Sequence, residues 1–242
     1  MKRSTWIVLV LLAVVAVGIA VFPRPKAAPA AVAAAPSQPG ETAVTLPAMD
    51  LSGKVELGPG LAASGVTASI GGLVVADVPI KNGTYRLALP GRLVSAQLSS
   101  LDQVRLVDGY GALHPTGADA QGNEVVLQAY QDSDKNGHFD GGEPKLPLTL
   151  FPADKAAGYE GFFRYELLAL SAPASLVDVQ DTPSGAKGFY RYQLDNVPAG
   201  YSVLEGELAD NGYDIRLRPG GDFNLIPKPT PGSKGPPAFN TK

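Results

Sequence analysis

The sequence predicts an all-β fold: an antiparallel β-sandwich in two consecutive domains, behind an N-terminal apolar helix. Short apolar or alternating runs recur between Gly and Pro punctuation, and no longer window between Leu51 and Val107 holds a 3.6-residue period. The 28 Gly and 22 Pro favour short strands joined by turns. With 45% hydrophobic residues in 242, the chain has enough apolar side chains to build a real core.

The elements follow in order. Met1, Lys2 and Arg3 precede an uncharged apolar run from Trp6 to Phe22, so residues 1–22 read as a signal peptide or membrane anchor. Gly18 and Ala20 are the small residues that suit cleavage after Ala20. Residues 23–48 are an Ala/Pro-rich linker with six prolines between Pro23 and Pro47, a semi-extended spacer. This leader implies an extracytoplasmic location: periplasm, cell surface or secreted, with residues 6–22 as the anchor if they are retained.

Composition excludes other classes. A net charge of −3 lacks the basic footprint that nucleic acid requires, and suits divalent cations. The absence of cysteine removes disulfides, a thiol nucleophile and thiolate metal sites.

The first β domain, 49–120, offers strands at Lys54–Leu57, Gly65–Ile70 and Leu73–Ile80. Asn82-Gly83 then separates two β-type runs, the strongest short hairpin signal. Tyr85, Leu87 and Leu89 alternate with polar or small residues, as in a strand buried on one face. Val94–Leu98 and Val104–Val107 add shorter strands. Ser52-Gly-Lys-Val55, Gly65-Val-Thr-Ala68 and Asn82-Gly-Thr-Tyr85-Arg-Leu-Ala-Leu89 resemble the prealbumin-like regulatory domain that accompanies carboxypeptidases. That resemblance implies a non-catalytic sandwich.

The most informative stretch is Asp132-Ser-Asp134-Lys-Asn136-Gly137-His138-Phe-Asp140-Gly-Gly-Glu143. It has the spacing of a calcium loop, with Gly at the sixth position for the sharp turn. Asp132, Asp134 and Asn136 would ligate through side chains, His138 through its carbonyl, Asp140 directly or through water, and Glu143 with both oxygens. Asp, Asn and Gly also build ordinary turns. Four carboxylates near 5 Å apart, however, repel by roughly 3 kcal/mol per pair at an effective dielectric of 20. A metal-free turn gains nothing from that crowding.

The loop lies inside a second β domain, 121–218. Asn123–Tyr130 leads into it and Leu146, Leu148 and Leu150 alternate on the way out, so strands flank it rather than the helices of an EF-hand. The Ala-Tyr-x-Asp-x-Asp-x-Asn-Gly opening and the Gly188-Phe-Tyr190-Arg-Tyr192-Gln-Leu194-Asp-Asn196-Val-Pro-Ala-Gly200-Tyr201 close resemble the calcium-binding B-type repeats of bacterial surface adhesins. The resemblance implies an immunoglobulin-like sandwich acting as a stiff spacer. It puts calcium on Asp132, Asp134, Asn136, His138, Asp140 and Glu143, and makes Asn196–Gly200 a turn.

Of the 18 aromatic residues, 12 fall between Tyr130 and Tyr213. Tyr159, Phe162, Tyr190 and Tyr192 are the candidates for a face that binds a surface glycan or an envelope protein. Filling a core is the competing use of such side chains. His114 and His138 are the only histidines, and no nucleophile elbow, zinc helix or phosphate loop is present. Residues 219–242, with six Pro and four Gly, read as a disordered tail. The expectation is a non-catalytic envelope protein with calcium as its one cofactor.

Overall fold

Alternation of apolar residues at Val125, Leu127 and Ala129 makes Gln121–Tyr130 a strand with one buried face, and four other strands pair along it. The computed structural model describes residues 42–101, 113–116, 120–155, 163–180, 190–209, 212–218 and 221–228. All lie in one compact unit, Pro36–Lys242. The leader 1–22, most of the linker 23–48 and the strand expected at Val104–Val107 fall outside the described residues.

The strands are β1 (Ala43–Thr45), β2 (Met49–Lys54), β3 (Gly65–Ile70), β4 (Leu73–Pro79), β5 (Thr84–Leu89), β6 (Arg92–Val94), β7 (Ser99–Ser100) and β8 (Leu113–Thr116). They continue with β9 (Gln121–Tyr130), β10 (Lys145–Pro152), β11 (Phe163–Leu170), β12 (Ala174–Gln180), β13 (Tyr190–Val197), β14 (Gly200–Ala209), β15 (Gly212–Arg218) and β16 (Phe223–Pro227). No α-helix occurs among the described residues. The protein is all-β, and the strands of its sheets pair antiparallel.

β9 is paired on both edges. On one, Val125–Tyr130 meets Ile70–Gly65 of β3, and Gln121–Gly122 meets β7. On the other, Leu127–Tyr130 meets β10, and Gly122–Glu124 meets β11. The sheet then continues from β11 through β14 and β15, and from β10 to β16.

Two cores lie on opposite faces of this sheet. One gathers Val66, Ile70, Leu127, Leu148 and Val203 with Leu51, Tyr85, Leu87 and Leu89 of the β2–β5 ribbon. The other joins Leu168, Leu170 and Leu204 to Ala174 of β12 and Val197 of β13. Val203 and Leu204 are consecutive and serve opposite cores, which is why Gly200–Gly206 is buried without a break. Strands covered on both faces read as continuous rather than alternating runs.

Both turns read from sequence are present, and the first does a different job from the hairpin expected of it. At Asn82 (φ 52°) and Gly83 (φ 73°) the chain makes a tight left-handed turn closed by the Lys81 and Thr84 amides. The flanking strands do not go on to pair as a hairpin: β4 pairs with β3 and β5 with β2. The turn carries the chain from the sheet to the covering ribbon. Asn196 (φ 57°) and Gly200 (φ 104°) do the same between β13, which pairs with β12, and β14, which pairs with β11.

The structure joins the segments 49–120 and 121–218 that the sequence reading separates, because β3 of the first is hydrogen-bonded along β9 of the second. It also corrects the start of the tail expected over 219–242, whose residues 229–242 fall outside the described residues. Phe223–Pro227 is a strand paired with β10, and Phe223 and Leu225 are fully buried. The segment is too short for composition to reveal amid Pro and Gly, and it is ordered by what it meets: Tyr85 Oη donates to the Phe223 carbonyl at 2.9 Å, and the Glu56 amide donates to the Leu225 carbonyl at 2.8 Å.

A chain ending at Arg218 therefore unfolds at markedly lower urea than one ending at Lys228. Phe223→Ala in the full chain costs about 3 kcal/mol, the usual loss for a buried aromatic. Chemical denaturation followed by circular dichroism checks both, and an unchanged midpoint in either would contradict the assignment of β16.

Candidate metal centre

The loop Asp132–Glu143 joins β9 to β10, whose last and first residues, Tyr130 and Lys145, are paired. It folds over the outer face of the sheet. Tyr130 points outward yet is only 1% exposed, because its ring lies across Gly65 of β3, where a Cβ would strike it. The Phe139 ring packs edge-on against it at 5.6 Å, with Lys145 Nζ 5.0 Å from the Phe139 centroid. The aromatic pair anchors the loop through apolar contact.

Within the loop the backbone turns through Lys135 (φ 61°) and Gly137 (φ 85°). Nothing lies within 4 Å of where a Gly137 Cβ would sit, so glycine serves there for its dihedral and not for room. The side chains are held by amides. Asp132 accepts from Gly137 N–H at 2.7 Å and Asn136 N–H at 3.2 Å. Asp134 accepts from the Asn136 backbone at 3.1 Å and from its side-chain amide at 3.0 Å, and that amide also reaches Asp140 Oδ2 at 2.6 Å. Asn136 Oδ1 accepts His138 N–H at 2.7 Å. Glu143, only 8% exposed, receives Ser133 N–H at 2.7 Å on Oε1 and Asp140 N–H at 3.0 Å on Oε2.

The result is convergence. Carboxylate oxygens of Asp132, Asp134 and Glu143 lie within 4.8 Å of one another. No ion pair to Asp132, Asp134, Asp140 or Glu143 occurs among the described residues. Partial loss of water pushes the Asp132 carboxyl up. Hydrogen bonds from the Gly137, Lys135 and Asn136 backbone amides outweigh that and hold it below its ordinary value. Burial, then the charges of Asp77, Asp132 and Glu143, push the Tyr130 phenol up to about 12.

No family model, curated protein or solved structure matches the chain. The chemistry of the loop therefore rests on its own atoms. Each carboxylate oxygen that accepts an amide keeps a second lone pair. The donor set is all oxygen, which suits a hard cation such as calcium and not a thiolate- or imidazole-seeking metal.

Two residues of this site carry little signal in the sequence. Asp77, a single charge inside the apolar run Leu73–Ile80, reaches His138 Nδ1 at 3.1 Å and Phe139 N–H at 3.3 Å through Oδ2. The His138 ring meets this carboxylate while remaining half exposed. Ser64, just before β3, accepts Asp132 N–H on Oγ at 3.0 Å. Of the aromatic candidates, Tyr159 and Phe162 lie outside the described residues. Tyr190 and Tyr192 stand in β13 opposite Gln180 and Asp178 of β12. A cavity of about 40 Å³ where β10 and β11 part is lined by Glu124, Leu148, Tyr165, Glu166 and Lys228. It holds a few waters at most, far from the several hundred Å³ of an organic ligand site.

A second charged cluster has a structural role. Glu205 of β14 is 2% exposed and accepts Arg216 at 2.8 Å and Arg218 at 3.0 Å; Arg218 also bonds Asp154 at 2.6 Å. Burial pushes the Glu205 carboxyl up, but these hydrogen bonds and the two guanidinium charges prevail and hold it below its ordinary 4.5. Its contribution to stability is thus complete above pH 4.5 and is lost as pH falls through the lower folded value. Glu205→Gln should cost about 2 kcal/mol at pH 7, less than a fully buried pair because Arg216 is 59% exposed. Wild-type and variant urea midpoints should converge below pH 4.5; parallel curves would refute the assignment.

Proposed function

We propose that this chain is a non-catalytic exported envelope protein, a prealbumin-like or immunoglobulin-like β-sandwich stiffened by one structural calcium ion, acting as a structural or adhesion module. The convergence of Asp132, Asp134 and Glu143 within 4.8 Å, with no cationic side chain among the described residues paired to them, carries the reading. Asp132, Asp134, Asn136 and Asp140 would hold the ion through side chains, His138 through its carbonyl and Glu143 through its carboxylate. Bound calcium supplies the positive charge that four crowded carboxylates lack. The basic start, apolar run and Ala/Pro linker of residues 1–48 support export to a compartment where calcium is plentiful.

The ion's contribution is support rather than a large switch. Extracellular modules bind calcium with Kd of about 10⁻⁴–10⁻³ M. A tenfold excess over Kd stabilises the folded state by about 1.4 kcal/mol. For a domain of this size that raises Tm by about 3–5 °C. Thermal melting of the purified chain in calcium and in chelator should show this shift, and Asp134→Asn should abolish it without lowering the midpoint in chelator. Equal midpoints for the wild type in the two conditions would sink the reading.

A further inference from the structure

The first β segment holds the loop at two points. Ser64, next to β3, accepts the amide of the first loop residue, Asp132. Asp77 of β4 grips the far side, accepting Phe139 N–H and facing His138 Nδ1 with one oxygen. Its side chain is 10% exposed, so water competes little for that oxygen. Asp77 stands outside the convergent carboxylates, which are Asp132, Asp134 and Glu143.

The grip has a directional consequence. His138 C=O and Phe139 N–H belong to one planar peptide unit and point in opposite directions across it. A carboxylate that fixes the Phe139 N–H therefore fixes the His138 carbonyl, the one backbone oxygen among the six expected ligands, pointing away from β4. We infer that Asp77 is a positioning residue: from strand β4, and without touching the ion, it presets the His138 carbonyl and so sets the calcium affinity of the loop. The inference rests on the calcium reading proposed above. Groups that orient metal ligands from behind commonly change affinity about 10–100-fold when removed.

Two variants separate direction from charge. Asp77→Asn keeps an oxygen that accepts the Phe139 amide and loses only the charge; Asp77→Ala loses both. Calcium chloride titrated calorimetrically into the chelator-stripped full-length chain should bind Asp77→Ala about tenfold more weakly than wild type. Asp77→Asn should lose roughly threefold, the effect of a screened neighbouring charge. Hydrogen exchange in chelator should show the Phe139 amide protected in wild type and Asp77→Asn and unprotected in Asp77→Ala. A purely structural role would lower the chelator midpoint of Asp77→Ala and leave its Kd within twofold of wild type, and that result overturns the inference. A wild-type chain that binds no calcium removes the calcium reading and this inference together, whereas wild-type binding with unchanged variants removes the inference alone.

Discussion

Everything in this fold depends on the double pairing of β9. A strand with both edges occupied must satisfy four neighbours at once, β3 and β7 on one side and β10 and β11 on the other. Its register fixes theirs, since a shift by one residue would move Val125, Leu127 and Ala129 from the core to the outer face. The same register places Tyr130 opposite both Gly65 and Lys145, and thereby puts the floor of the acidic loop where the loop can close over it.

The loop is consequently a product of two regions distant in sequence. Its own residues supply the turns and the carboxylates. Its attachment comes from Ser64 and Asp77, more than sixty residues earlier. Like charges gathered in one place demand rigid support, because any freedom would let them move apart. Amides from within the loop and side chains from the β3–β4 hairpin provide it together.

Much of this was legible in the residues, and the rest for definite reasons was not. Alternation at Tyr85–Leu89 and Leu146–Leu150 announced strands with one buried face, and both have one. Asn82-Gly83 announced its left-handed turn, a local property of two residues. Which strands those turns connect is non-local: it is decided by the apolar faces that need covering, so the expected hairpin became a crossing between layers. The spacing of Asp132, Asp134 and Glu143 was visible because the chemistry is contiguous. Asp77 was not, because its meaning comes from a loop that touches it only after β9 has paired with β3. Phe223–Pro227 was hidden by composition, since its strand character comes from β10.

The late position of β16 bears on the order in which the protein can fold. The Ser52 hydroxyl donates to Asp222, a residue 170 positions later, and the Tyr85 hydroxyl donates to the Phe223 carbonyl across 138. Contacts this far apart form slowly, after most of the chain is available to collapse. Until the segment beyond Arg218 has emerged, the β2–β5 ribbon lacks its contacts with β16 and the main core lacks Phe223 and Leu225.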